Sequence, residues 1–81
     1  MRICVKLFAV LREAAGVSEV ELDLPGDATA GAVAAPLATR FPNISRHLPR
    51  IAYAVNRSYA PADTPLREGD EVALIPPVSG G

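Results

Sequence analysis

An α+β domain, a mixed sheet of four to five strands around one main helix, is the fold class that this 81-residue sequence predicts. Three patterns carry the expectation. Two segments near the start alternate polar and apolar residues, the period of a half-buried strand. Residues 30–41 repeat apolar side chains at helical spacing. Val72-Ala73-Leu74-Ile75 is an unbroken apolar run, as expected of a central strand covered on both faces.

The elements follow in order along the chain. From Ile3 to Phe8, the side chains of Ile3, Val5 and Leu7 share one face, and those of Arg2, Cys4, Lys6 and Phe8 the other. Ser18 to Leu24 repeats the pattern, with Val20, Leu22 and Leu24 inward and Glu19, Glu21 and Asp23 toward water. Between them, Leu11-Arg12-Glu13-Ala14-Ala15 forms a helical turn stopped by Gly16. The link is short enough to keep the two strands antiparallel neighbours. Pro25-Gly26-Asp27 is a turn. Thr29 then serves as N-cap of a helix whose stripe is Ala30, Val33, Ala34, Leu37, Ala38 and Phe41. Pro42 ends that helix. Pro36 lies inside it, where a missing amide hydrogen and a ring clash predict a kink or break between Ala32 and Pro36.

Residues 43–50 are expected to be an irregular link with at most a short helical turn. Ile51 to Val55 gives a third strand, Asn56-Arg57 a turn, and Ser58 to Ala60 a short edge strand. Residues 61–66 are loop, and Arg67-Glu68-Gly69-Asp70 turns the chain into the last strand. Strand phase puts Phe8 and Ile75 on the sheet face opposite the helix, with Tyr59 able to join them. Such a face is either a docking patch or scattered apolar exposure.

Composition narrows the function. With 49% apolar and 21% charged residues the chain has a globular balance rather than a disordered one. A formal net charge of -1, with no basic run, excludes the electrostatic footprint of a nucleic-acid binder. One cysteine and one histidine cannot make an internal disulfide or a zinc cage. No apolar stretch approaches the ~18–20 residues of a membrane span, and the alternating start is unlike a signal peptide. The expectation is a cytoplasmic domain with no bound cofactor or metal. Its small size leaves little room for a substrate cavity beside the core. Chemistry should therefore sit on a presented group and be completed by a larger partner.

That group is at the end of the chain. Pro76-Pro77 cannot donate to a ladder and favour extended backbone, so pairing should stop at Ile75. The expected division is a domain over residues 1–75 and an extended Gly-Gly tail over residues 76–81. Six residues at ~3.3 Å each reach ~20 Å, far enough to enter another protein's active site. Gly80 and Gly81 make the tip thin, and the carboxylate of Gly81 is unhindered by a neighbouring side chain.

These residues resemble the small-subunit family of molybdopterin synthase, ubiquitin-like β-grasp sulfur carriers. The resemblance rests on Phe8-Ala9 with Arg12-Glu13, Ala54-Val55-Asn56, Pro65-Leu66 with Gly69-Asp70-Glu71-Val72-Ala73, and Pro76-Pro77-Val78-Ser79-Gly80-Gly81. It spans essentially the whole chain, and the last segment is its most specific part. Pro36 departs from the smoother helix of that family. The resemblance implies a β-grasp fold and a protein that is not an enzyme alone. A partner like the ubiquitin-activating adenylyltransferases would use ATP and magnesium to adenylate Gly81. A persulfide donor would then convert it to a thiocarboxylate, which delivers sulfur to cyclic pyranopterin monophosphate inside the large synthase subunit. The implied assembly is a heterotetramer, with Phe8, Tyr59, Ile75, Pro76, Pro77, Val78, Ser79 and Gly80 as partner contacts. The alternatives are a sulfur carrier for thiamine, cysteine or tRNA thiolation, and a ubiquitin-like protein modifier.

The remaining chemistry-bearing residues have structural readings. Cys4 lacks a neighbouring histidine or cationic cluster and is expected to be a half-buried structural thiol. His47 is expected to be a solvated surface residue. Glu19, Glu21 and Asp23 are expected to form a solvated strand face rather than a metal site.

Overall fold

The computed structural model describes residues 1–77. The elements run β1 (Arg2–Leu7), α1 (Val10–Ala15), β2 (Glu19–Asp23), a 3₁₀ helix at Ala30–Val33, α2 (Ala34–Arg40), a 3₁₀ helix at Pro42–Arg50, β3 (Ala52–Val55), β4 (Ser58–Ala60) and β5 (Glu71–Ile75). The five strands form one mixed sheet in the order β2-β1-β5-β3-β4. β1 and β5 pair in parallel at its centre, while the other neighbours are antiparallel. No helix among the described residues is long and apolar enough to cross a membrane.

The strand phases are those of the sequence. Ile3, Val5, Leu7, Val20, Leu22, Val72 and Leu74 are buried on one face, against Leu11, Ala30, Val33, Leu37 and Ile44 from the helical segments. These segments cover that face only. β5 is central, as expected, but its second face carries no covering layer among the described residues. Ala73 is nonetheless buried there. Its methyl group sits low between Lys6 and Ala54, its register partners on either side. The continuous apolar run therefore reflects a small residue flanked by neighbours rather than a second layer.

The helix breaks where Pro36 requires. The first turn is 3₁₀ over Ala30–Val33, and α-helix resumes at Ala34, which places Pro36 third in α2. Amide hydrogens in the first α-turn have no intrahelical acceptor, so nothing is lost by the ring nitrogen there. Thr29 does not cap with its hydroxyl. The amides it would serve are already taken: Ala30 N–H donates to Thr64 O at 2.9 Å, Gly31 N–H to Ala62 O at 2.8 Å, and Ala32 N–H to Thr29 O at 2.9 Å. Loop 61–66 is thereby stitched to the helix start. Glycine suits this approach, because a Cβ on Gly31 would stand 3.1 Å from that of Ala62.

Residues 42–50 differ most from expectation. They form a nine-residue 3₁₀ helix, anchored by fully buried Ile44 and with His47 half-buried rather than fully solvated. Phe41, Ile44, His47 and Leu48 come at three- and four-residue spacing, a signal the two flanking prolines obscure. Ile44→Ala should lower the unfolding free energy by about 2–4 kcal/mol, whereas Arg46→Ala on the exposed side should change it by less than ~0.5 kcal/mol. Urea denaturation of both variants checks this, and equal effects would mean that the segment does not close the core.

Candidate functional site

The open sheet face follows directly from register. Tyr59 stands opposite Ala54, Ala54 opposite Ala73, Ala73 opposite Lys6, and Lys6 opposite Glu19. One step along, Ile75 stands opposite Ala52. Because β1 and β5 are parallel with Leu7 opposite Leu74, the next residues, Phe8 and Ile75, come at the same end of the sheet. Phe8 is 44% exposed and Tyr59 76% exposed, while Ile75 is half-buried. Tyr59 and Ile75 thus share the open face with a low strip of alanines, and exposed Phe8 stands one residue beyond β1 at the Ile75 end. A shallow, open concavity of about 440 Å³ adjoins Tyr59, between Ile51, Ala52 and Tyr53 on one side and Ala60 and Pro61 on the other. It offers surface to a partner rather than an enclosed ligand site.

The backbone around the patch is held in unusual conformations. Ala9 has φ 50° and ψ -123°, and Phe8 C=O accepts the Leu11 N–H at 3.0 Å. These are the dihedrals of the first central position of a type II′ turn, normally glycine's place. The strain turns the chain sharply from β1 into α1 directly after Phe8. Asn56 and Arg57 have φ of 50° and 72°, closing the β3–β4 hairpin with two left-handed residues.

Asn56 does more than turn the chain. Its side-chain amide donates to Asp70 Oδ1 and accepts the Glu71 N–H, each at 3.0 Å, and its own N–H reaches Glu71 O at 2.8 Å. Asp70 in turn accepts the Arg67 N–H at 2.8 Å. This lock fixes where β5 starts, and so where it ends. Ile75 is the last paired residue, followed by Pro76 and Pro77. The predicted tail contacts Val78, Ser79, Gly80 and Gly81 lie outside the described residues. The sequence marked Asn56 as a turn residue but gave no sign of its partners 14 and 15 positions away.

The other end of the face is charged. Arg2 lies 3.7 Å from both Glu21 and Asp23, and Lys6 lies 3.2 Å from Glu19 and 3.6 Å from Glu71. The acidic strand β2 is therefore a solvated, ion-paired face. Cys4 is half-buried beside it; burial, and then the charges of Glu19 and Glu71, push its thiol pKa up. That is the opposite of an activated thiolate.

Three comparisons with known proteins place the chain. A model of the ThiS family matches residues 5–81. The molybdopterin synthase sulfur carrier subunit of Chlamydomonas reinhardtii is 39% identical, with 100% of both chains covered. The crystal structure of small archaeal modifier protein 1 from Haloferax volcanii is 37% identical, covers 100% of both chains and superposes with a TM-score of 0.87. A chain from the complex of subunits 1 and 2 of the molybdopterin-converting factor of Helicobacter pylori is 26% identical, again with 100% coverage of both, at a TM-score of 0.72. Caldiarchaeum subterraneum ubiquitin, 20% identical and covering 100% of this chain and 98% of its own, shares the fold at a TM-score of 0.64. The architecture is the ubiquitin-like β-grasp.

Asn56 gives a test of how the tail root is positioned. Asn56→Ala should cost about 1–3 kcal/mol, because it removes two hydrogen bonds and leaves a non-glycine residue at positive φ without its local support. Asn56→Gly should cost less, since glycine adopts that φ freely. Thermal melts of the two variants report both effects: the difference between them reads the positive-φ cost, and an Asn56→Gly variant as stable as the wild type would show the side-chain lock to be unimportant.

Proposed function

The chain belongs to the ThiS family, and from that membership we propose that it is a sulfur carrier acting as the small subunit of a molybdopterin synthase. The observation that carries the reading is the junction at Ile75. A strand at the centre of the sheet stops at two prolines, on a chain whose family match continues through residue 81. The full-length likeness to a molybdopterin synthase sulfur carrier subunit supports the same assignment.

In this reading the body has no catalytic task of its own. A partner adenylyltransferase uses ATP and magnesium to join the Gly81 carboxylate to AMP. Adenylation converts a poor acyl donor into one with a good leaving group. Sulfur from a persulfide donor displaces AMP and leaves a thiocarboxylate on Gly81. The tail then enters the large subunit, where that sulfur is transferred to cyclic pyranopterin monophosphate. The body's part is docking and reach, with Phe8, Ile75 and Tyr59 as the docking contacts and Pro76 to Gly80 as the contacts of the tail. The likeness to a chain from a two-subunit molybdopterin-converting complex supports a large-subunit partner. Every immobilised tail residue opposes docking by about 1–2 kcal/mol, so the patch must supply the compensating contact.

A second reading, a protein modifier joined through Gly81 to target lysines, is favoured by the likeness to small archaeal modifier protein 1. Intact-mass measurement of the protein from cells separates the two. A carrier shows replacement of one terminal oxygen by sulfur, and a modifier shows branched peptides on other proteins.

Two outcomes are expected. Deleting Gly81 should abolish thiocarboxylate formation while leaving the melting temperature unchanged; a truncated chain that still matures the pterin precursor would overturn the reading. Phe8→Ala should weaken binding of the large subunit, measured by calorimetry, while changing stability by less than ~1 kcal/mol. A stability loss as large as the binding loss would place Phe8 in the core instead.

A further inference from the structure

The chain has one lysine, Lys6; its other permanently cationic side chains are arginines. Arginine stays protonated at all ordinary pH and is no nucleophile. Lys6 lies on the open face in the row between Glu19 and Ala73, with its side chain one-third exposed. Its ammonium nitrogen is 3.2 Å from Glu19 Oε1 and 3.6 Å from Glu71 Oε1. Glu19 comes from β2 and Glu71 from β5, the two strands flanking β1, so the lysine is held from both sides. Hydrogen bonding to Glu19, then the charges of Glu71 and Glu19, hold its pKa above the ordinary lysine value.

This placement matters if the carboxyl end is activated, as the proposed function requires, and the inference rests on that reading. An acyl adenylate or thioester is open to aminolysis. The lone pair of a neutral amine bonds to the carbonyl carbon, AMP or the thiol leaves with its bonding pair, and the amine proton passes to water. The product is an amide linking two copies of the chain, and the carboxyl end that formed it can no longer carry sulfur. An ammonium has no lone pair to give. We infer that Glu19 and Glu71 clamp the Lys6 ammonium from both sides, so that an activated carboxyl end does not acylate that side chain on a second copy of the same protein. Self-acylation through this lysine is then suppressed, and as a modifier the chain would build no lysine-linked polymer.

A tie that merely joined β2, β1 and β5 would have the same geometry but would not govern acylation. Two measurements separate these roles. In the first, the full chain is labelled with N-hydroxysuccinimide acetate in mildly alkaline buffer, with the α-amino group as internal standard. Lys6 should react roughly threefold or more faster in the Glu19→Gln/Glu71→Gln variant than in the wild type, with Glu19→Gln alone in between. The single variant carries the test if the double one fails to fold. In the second, the Gly81 thioester is prepared chemically by thiolysis of an intein fusion and mixed with unmodified chain. The wild type should give no Lys6-linked dimer by peptide mapping. The double variant should give one, and adding Lys6→Arg should remove it. Equal Lys6 labelling in wild type and variants, or Lys6-linked dimer from the wild type at the variant's rate, overturns the inference. Since the thioester is made without any adenylating enzyme, these results do not depend on thiocarboxylate formation in cells. Absence of that thiocarboxylate would refute the carrier reading alone.

Discussion

The parallel pairing of β1 with β5 is the constraint on which the rest of the structure depends. It brings the first strand of the chain beside the last and makes both central. Parallel neighbours cannot be joined by a tight turn, so the intervening chain must cross one sheet face, and the helical segments fill that crossing. The same pairing decides what happens at the ends of the strands. Since β1 and β5 run the same way, Phe8, Ile75, Pro76 and Pro77 all come at one end of the sheet. The exposed aromatic patch and the root of the tail are consequently one place.

The open face is divided in two by side-chain size and charge. Ala52, Ala54 and Ala73 keep its middle low, so that Phe8, Ile75 and Tyr59 stand at the rim of an approachable surface. Burying apolar area of this kind is worth about 25 cal/mol per Å² before ordering losses. The opposite end is occupied by Arg2 and Lys6 among the carboxylates of β2 and Glu71. Exposed ion pairs add little to stability. Here they act on orientation: Lys6, the one lysine of the chain, is held between carboxylates of both neighbouring strands.

Positioning of the last strand is spread over distant parts of the chain. Asn56 ties the β3–β4 turn to Asp70 and Glu71, while Cys4 N–H donates to Asp70 O at 3.0 Å and Gly69 N–H to Arg2 O at 2.8 Å. The start of β5 is thus fixed by two strands at once. A one-residue slip would exchange the faces of Val72 and Ala73, burying charge and exposing core. The network therefore fixes the register of β5 as well as its start.

Local pattern alone determined a good deal of this protein. Strand phase at Ile3-Val5-Leu7 and Val20-Leu22, the left-handed stop at Gly16, the break before Pro36 and the end of pairing at Pro76 were all legible, because each depends on period or on one residue's backbone limits. The face of Tyr59 and Ile75 was legible for the same reason, as alternation assigns a face without needing a neighbour. The 3₁₀ helix at Pro42–Arg50 was not, since two prolines masked a spacing that only burial of Ile44 gives meaning. Nor was the uncapped Thr29, whose amides are satisfied by loop carbonyls some 30 residues away. Strand order, the Asn56 lock and the clamp on Lys6 belong to tertiary structure for one physical reason. Each joins residues remote in sequence, and periodicity within a single element holds no information about which remote carboxylate or carbonyl will arrive beside it.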